Sequence, residues 1–326
     1  MKPIRDIVVR PGEKVRDLIE QFSSVGGFMA QCLYEAAKVL TDMVKDGNCL
    51  IFLSFTANLV ATGTRGVLIE LIRRGFVDVV VTTAGTIDHD IARSYGGQYL
   101  VGSFWSSDLE LAEKEVHRLG NVLIPRQHYG VLIERKVHEL LMKVVDKVPR
   151  RVSCRKLLFE IGKLMPENSL LGICSRCRVP MYVPGFVDGA FGTALLTFRG
   201  LLRTKGRDLD LVVDPLLDEE ELSSIVMKFS KLGAVVLGGG ISKHHVIWWS
   251  QFSGGLDYVI YVTTASEYDG SLSGARPHEA ITWGKVKRDA EVAHVVCDAT
   301  IALPLLACYL IDVVGERRRR ELPLEW

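Results

Sequence analysis

The chain has 326 residues, of which 48% are hydrophobic and 24% are charged. These proportions are those of an ordinary globular protein and exclude a disordered, collagen-like or low-complexity chain. Forty basic residues against 39 acidic ones give a formal net charge of +1, so the composition indicates neither a nucleic-acid partner nor a membrane partner.

Short β-branched apolar runs recur along the chain, each followed by glycines or small polar residues and then by a helix-like stretch. Because the runs are almost continuously apolar, they predict strands buried on both faces of a parallel sheet. In chain order, the predicted strands are 49–53, 77–81, 121–124, 210–213, 234–237, 258–262 and 293–296.

Helical spacing of apolar residues fills the intervals between these runs. It is clear from Val15 to Phe22 and again from Leu109 to Leu119. Alternation of strands and helices predicts an α/β fold, a doubly wound, mostly parallel sheet with helices on both faces, as in Rossmann-like nucleotide-binding proteins. We expect an N-terminal helical segment, 1–47, and a single domain, 48–326.

The two ends of the chain and its cysteines indicate the cellular compartment. The first residues carry charges and no apolar stretch typical of a signal peptide. Segment 301–311 is apolar but shorter than the about 20 residues of a membrane-spanning helix, so it predicts a buried helix. Arg317–Arg320 reads as a solvated tail. Seven scattered cysteines favour a reducing compartment, and we expect a cytoplasmic protein.

Two further motifs have ordinary structural explanations. The acidic run Asp218–Glu221 predicts the start of a helix, where carboxylates are favourable. Cys174 and Cys177 form a lone C-x-x-C pair, whereas a structural zinc ion needs four ligands. We therefore expect no metal site.

Loops rich in small residues follow five of the predicted strands. Ligands of a doubly wound sheet bind at the carboxyl ends of its strands, where backbone N–H groups and helix N-termini can hold a phosphate. A tight turn without a ligand explains any single loop, but five together favour a bound nucleotide, with Asp298 positioned to hold ribose hydroxyls. The loops are 54–63, 82–90, 238–245, 263–271 and 297–300.

Lys285 and the histidine pair at 244–245 are the candidates for chemistry. A lysine nucleophile must lose its proton, and Lys285 has Lys287 and Arg288 nearby, with Trp283 two residues before it. A surface lysine beside a buried tryptophan remains the preferred alternative from these residues alone. Either histidine could transfer protons after the glycine turn, although a structural role explains each as well.

Taken together, these segments resemble deoxyhypusine synthase, in order, from about Asn48 to Leu306. The run from Ser273 through Lys285 is long and specific, and it reverses the preference for an ordinary surface lysine. The similarity is strongest in Thr82–Gly85, Leu237–Gly240, Lys243–His245, Asp269–Ser271, Ser273–Pro277, Glu279 and Trp283–Lys285.

This resemblance implies a homotetrameric, NAD-dependent transferase of hypusine biosynthesis, with active sites shared between two subunits. In that family, spermidine is oxidised and cleaved, and its aminobutyl group forms a Schiff base with a catalytic lysine that matches Lys285. The group then passes to one lysine of the translation initiation factor 5A precursor and is reduced to deoxyhypusine. His244 matches the histidine that assists proton transfer.

Other roles carry over from the resemblance by position. The residues expected to bind the cofactor are Asn58, Thr83, Ala84, Gly85, Asp188, Gly239, Gly240, Thr264, Ala265, Asp298 and Ala299. The residues expected to bind the substrate are Asp88, His89, Gly270, Ser271, Glu279 and Trp283.

Three positions depart from the eukaryotic pattern of the family. Leu272 and Thr193 stand where that pattern has aspartates thought to hold the amine, and His89 stands where it has a glutamate. A charged hydrogen bond contributes about 1.5–3 kcal/mol, so losing two carboxylates should weaken spermidine binding unless other groups compensate. The sequence Asp88–Asp90 resembles archaeal-type members, and Asp88, Asp90, Asp269 and Glu279 remain candidate anions.

Three alternatives follow. A related aminoalkyl transferase could use agmatine as donor, or putrescine as acceptor to give homospermidine. A non-catalytic paralogue would bind NAD and a partner, but such a protein needs no imine-forming lysine. An NAD-dependent protein deacylase would carry a zinc module with two cysteine pairs, and only Cys174 and Cys177 are paired in this way.

Overall fold

A computed structural model of the chain describes residues 3–206 and 211–326. In the described residues, helices α1 to α13 span Val15–Gln21, Phe28–Lys45, Asn58–Ala61, Arg65–Arg73, Ala84–Ser94, Asp108–Glu113, Gly130–Val144, Cys154–Gly162, Leu170–Cys177, Ala190–Thr204, Pro215–Val226, Gly240–Ser250 and Ala299–Val314. Strands β1 to β11 span Cys49–Phe55, Val79–Val81, Leu100–Val101, Val116–Leu119, Val122–Pro125, Arg151–Val152, Met181–Tyr182, Val212–Val213, Lys231–Leu237, Leu256–Thr263 and Val286–Val296.

The described residues group into two compact units. The first comprises 3–55, 70–81 and 221–325, and the second comprises 56–69, 82–206, 211–220 and Trp326. The N-terminal helices belong to the first unit, where α2 packs against β11 and α13. A separate N-terminal segment ending at residue 47 stays a prediction.

The first unit contains a parallel sheet whose strands follow the order β11, β10, β9, β1, β2. The register pairs Leu53 of β1 with Val80 on one side and with Val235 on the other, and Val235 pairs with Ile260. Every residue of β1 is buried, as the continuous apolar pattern predicts for a strand covered on both faces. The α/β class with a mostly parallel sheet is confirmed.

The predicted strand at 121–124 lies in a different sheet. It forms β5, which pairs antiparallel with β3 and β4 in the second unit. The helix predicted from Leu109 to Leu119 ends at Glu113 instead, because Glu115 takes a left-handed backbone conformation (φ 53°) and β4 begins directly after it. The apolar residues from Leu109 to Leu119 fit a helix followed by a strand as well as one continuous helix. The structure contains the strand, β4, which forms a hairpin with β5.

The predicted strand at 210–213 is only partly described, since Asp210 lies outside the described residues. Val212 and Val213 form β8, which pairs with β6 rather than with the parallel strands of the first unit. The apolar segment 301–311 lies within α13, as expected. Within the described residues, no helix combines the length and the apolar character needed to cross a membrane.

The arginine run near the C-terminus is not the solvated tail that the sequence indicates. Arg317 contacts both carboxylate oxygens of Asp78, at 2.9 and 3.0 Å, and Asp78 is only 4% exposed. Arg317 and Arg320 also donate to the carbonyl oxygen of Cys49, at 2.9 and 3.0 Å. These arginines therefore hold the amino ends of β1 and β2 in the first unit.

Candidate active site

A cavity of about 430 Å³ lies in the first unit, between α12 and the residues that follow β10. Both predicted catalytic residues, Lys285 and His244, line it together. Three predicted substrate-binding residues, Ser271, Glu279 and Trp283, line it as well. Five residues that the resemblance predicts therefore lie together at one site of the first unit.

Lys285 is held at this cavity by the backbone on either side of it. Gly284 ends the short 3-10 helix Pro277–Trp283 with φ 67°, a conformation that glycine adopts without strain. The Lys285 N–H donates to the carbonyl of Ala280 at 3.0 Å, and β11 begins at the next residue. The amine is therefore carried on rigid backbone at the edge of the sheet.

The amine of Lys285 lies between two indole rings. Its Nζ is 5.4 Å from the ring centre of Trp283 and 5.7 Å from that of Trp248, and the residue is 9% exposed. Indole faces attract organic cations, so the same walls can receive a substrate ammonium group. A buried amine beside such walls is suited to form a C=N bond with a bound carbon fragment.

His244, which the resemblance selects, and His245, which the local pattern alone does not distinguish from it, have different surroundings. The His244 ring stacks on Trp248 with ring centres 5.9 Å apart, and His244 lines the cavity. Burial, and then the Lys285 cation, lower the pKa of His244 below its usual 6.5, so the imidazole is neutral at pH 7 and can accept a proton. Burial lowers the pKa of His245 to about 4.

We expect Lys285→Met to raise the pKa of His244. Removing the neighbouring cation favours the protonated imidazole, so the titration should move to higher pH, towards 6.5. An NMR titration of the histidine side chains measures this shift. Lys287→Met is the matched control, because Lys287 pairs with Asp257 at 2.7 Å. An unchanged His244 pKa in Lys285→Met would contradict the geometry.

Glu279 is the carboxylate that the cavity presents to a bound amine. Leu272 also lines the cavity and is 56% exposed, so an apolar side chain stands at a position where the eukaryotic pattern has an aspartate.

Trp248 and Lys243 line the cavity but were not predicted as site residues. The signal for Trp248 is its position four residues after His244, which places both on one helix face.

Six of the residues expected to bind a cofactor lie in the first unit, at the carboxyl ends of β9, β10 and β11: Gly239, Gly240, Thr264, Ala265, Asp298 and Ala299. The loop at 238–240 is closely packed. A Cβ on Gly239 would lie 2.8 Å from the Cα of Ser273, and Gly240 has φ 71°. Asp298 caps α13, and its Oδ1 accepts the N–H of Thr300 at 2.8 Å.

The other five, Asn58, Thr83, Ala84, Gly85 and Asp188, lie in the second unit. There, the Thr83 hydroxyl accepts the N–H of Ala57 at 3.2 Å, and a Cβ on Gly85 would lie 2.9 Å from the Cβ of Ala57. Asn58 and Asp188 are exposed. Helix α5 begins at Ala84, so its N-terminal N–H groups are available to an anion.

Asp88 and His89 are buried in the second unit. The Asp88 carboxylate accepts the N–H groups of Ala190 at 3.0 Å and Phe191 at 2.8 Å, so it caps α10. His89 Nδ1 lies 2.8 Å from the Tyr99 hydroxyl, and burial lowers the His89 pKa to about 4. Both side chains are therefore held by their own unit, and their contact with a substrate stays a prediction.

Asp90, another candidate anion, has a similar structural position. It accepts the N–H groups of Leu170 and Leu171 at 2.9 and 2.8 Å, and Arg65 lies 3.0 Å from its carboxylate. Asp90 therefore caps α9. Its exposure of 1% leaves Glu279 as the better placed of these two anions for binding an amine.

Comparison with known proteins identifies the family of the chain. Residues 17–310 match the family model described as deoxyhypusine synthase. A relative named "Probable deoxyhypusine synthase" from Ignicoccus hospitalis is 50% identical over 306 residues, 94% of each chain. A second relative of the same name, from Pyrobaculum aerophilum, is 51% identical over 292 residues, which cover 90% of this chain and 99% of that one.

The fold is also found among solved structures. The crystal structure of a "putative deoxyhypusine synthase" from Entamoeba histolytica superposes with a TM-score of 0.67 at 18% identity, covering 97% of this chain and 99% of that one. At this identity the likeness supports the fold alone. From the family match and the two relatives, the chain belongs to the deoxyhypusine synthase family and is a transferase.

Proposed function

We propose that this chain transfers the aminobutyl group of spermidine to a lysine of the translation initiation factor 5A precursor, with NAD as cofactor, to form deoxyhypusine. The observation that carries the proposal is the amine of Lys285, 9% exposed and placed between two indole rings at a cavity. A cavity with an aromatic wall, one carboxylate and a buried amine suits a cationic amine substrate and a covalent imine.

Five residues of the cavity have roles in this reaction. Lys285 attacks the imine carbon of the oxidised donor, and 1,3-diaminopropane leaves. The four-carbon fragment stays on Lys285 as a Schiff base until the acceptor lysine displaces it. His244, neutral at pH 7, takes the proton from the donor amine. Glu279 pairs with an ammonium group of the substrate, and Trp283 and Trp248 enclose its carbon chain.

The glycine loops support NAD as the cofactor. Gly239 leaves no room for a side chain beside Ser273, and α12 begins at Gly240, where its N-terminal N–H groups can hold a phosphate. Asp298 accepts the N–H and the hydroxyl of Thr300, and both bonds end on Oδ1, so its other oxygen, Oδ2, suits a ribose hydroxyl. When bound, NAD would supply the oxidation of the donor amine and the later reduction of the product.

A second candidate differs in the amine. Leu272 presents an apolar side chain to the cavity, and the Thr193 hydroxyl donates to the carbonyl of Gly189 at 3.1 Å in the second unit. Neither supplies the carboxylate of the eukaryotic pattern. The missing carboxylates favour a different amine in the same imine chemistry, with agmatine as donor or putrescine as acceptor.

We expect borohydride reduction of the protein with NAD and spermidine to trap an aminobutyl group on Lys285. Intact mass followed by peptide mapping detects it, and parallel samples contain agmatine or lack NAD. Labelling of the factor precursor from spermidine supports the proposal. Labelling from agmatine but not spermidine favours the second candidate, and no adduct from any amine overturns both.

The proposal extends to assembly and location. We propose a homotetramer in the cytoplasm, as the family resemblance implies, and light scattering of the purified protein measures its mass in solution. A monomer that is fully active would contradict active sites shared between two subunits.

A further inference from the structure

Lys243 is a buried lysine at the cavity that the reaction steps do not use. It lies on α12 beside His244 and is 6% exposed. Its Nζ is 4.4 Å from the ring centre of Tyr261, which is 2% exposed. Burying an ammonium group is costly unless its donors are satisfied, so the partners of this group indicate what it does.

The partners of Lys243 are three backbone carbonyls of one turn. Its Nζ lies 3.0 Å from the carbonyl oxygen of Leu272, 3.4 Å from that of Ser273 and 3.2 Å from that of Ala275. An ammonium group has three N–H donors, and the turn at 272–275 presents three acceptors. Burial lowers the pKa of Lys243 to about 8, so at pH 7 the charged form with three donors predominates.

The turn at 272–275 needs such support. Leu272 has φ 59°, a left-handed conformation that is unfavourable for a residue with a bulky side chain. Gly274 is closely packed, since a Cβ there would lie 2.2 Å from the carbonyl oxygen of Ser266. Strain at Leu272 persists only if surrounding contacts hold the turn, and the Lys243 ammonium contacts the Leu272 carbonyl itself.

The turn also forms one wall of the cavity. Ser271, Leu272 and Ala275 line it, opposite the part of α12 that carries His244. Arg276, directly after the turn, pairs with Glu267. A change in the turn would therefore move the side chains that a substrate meets, without altering Lys285.

We propose that Lys243 is a positioning residue, whose ammonium group holds the strained turn at 272–275 against α12 and so sets the wall of the cavity that contacts the amine substrate. The part of the inference that concerns the substrate rests on the proposed function. The part that concerns the turn does not.

Hydrogen exchange tests the contact without any substrate. In Lys243→Met, we expect the amides of Leu272 and Ala275 to exchange about tenfold faster or more at pH 7, because a charged hydrogen-bond donor is lost. Exchange in β10 and α12 should stay as in the wild type. Lys243→Arg, which keeps the charge and several donors, should retain part of the protection. The matched control is Lys231→Met, which removes an ion pair with Asp46 in the same unit.

Steady-state kinetics with the amine substrate test whether the turn affects substrate binding. We expect Lys243→Met to raise the KM for the amine about tenfold with a smaller change in kcat, and Lys243→Arg to recover part of that loss. Unchanged exchange in the turn, or faster exchange throughout the first unit, overturns the positioning role. Faster exchange with unchanged kinetics overturns the link to the substrate. If the wild type turns over no amine, the proposed function fails, while hydrogen exchange still decides the contact.

Discussion

Lys285→Arg is expected to abolish transfer of the aminobutyl group, with a loss of about 10⁴-fold or more in turnover. Arginine keeps the positive charge that contacts Trp283 and Trp248, so the fold and the aromatic stacking should persist. Its guanidinium group stays protonated in proteins and cannot form the imine. Borohydride trapping should accordingly give no mass gain, while NAD binding measured by calorimetry should remain.

Lys287→Arg provides the comparison. That lysine is two residues away on β11 and pairs with the Asp257 carboxylate at 2.7 Å, an interaction that arginine can keep. Its turnover should stay close to that of the wild type. Normal transfer by Lys285→Arg would remove the covalent step from the mechanism and leave this lysine as a cationic part of the wall.

The central sheet is predictable because burial on both faces leaves a strong pattern. Strand β1 contains six apolar residues and one serine, Ser54, and all seven positions are buried. No such constraint applies to the three-stranded sheet, since Leu100 and Val101 of β3 are exposed. Its real signal is the Gly120–Asn121 pair, a two-residue hairpin turn in which Gly120 has φ 62°. The helical spacing around it concealed that turn.

Identification of the candidate site depends on family resemblance more than on local pattern. The local pattern does not distinguish His244 from His245, because only the packing of the helix decides which of two adjacent side chains faces the cavity. In the same way, Asp88 looks like a free anion until α10 is placed, after which its oxygens accept two backbone N–H groups. Contacts between distant segments decide both cases.

The C-terminal arginines make a stabilising contact that the local sequence pattern likewise does not predict. A run of four arginines ordinarily indicates a solvated segment, yet Arg317 reaches a carboxylate 239 positions earlier in the chain. Its side chain is 9% exposed and that of Asp78 is 2% exposed. The Asp78 carboxylate also accepts the N–H of Ile51 at 2.9 Å, so one buried charge joins β1, the start of β2 and the C-terminal segment.

We expect Arg317→Met to lower the free energy of unfolding by about 3–5 kcal/mol, because it leaves the Asp78 carboxylate buried without its main counter-charge. Urea unfolding followed by circular dichroism measures the change. The contact joins β1, the start of β2 and the C-terminal segment, whereas Lys285 directly precedes β11, which β10 and β9 separate from β1 in the sheet. Amine turnover of the folded fraction should therefore remain near that of the wild type.

Arg318→Met is the matched control, since Arg318 is the neighbouring arginine and is exposed. Its effect should stay within about 0.5 kcal/mol, as for most surface substitutions. Equal effects of the two variants would mean that the run acts through its net charge rather than through the Asp78 contact. In that case the loss would diminish at high salt, whereas a buried ion pair is screened much less.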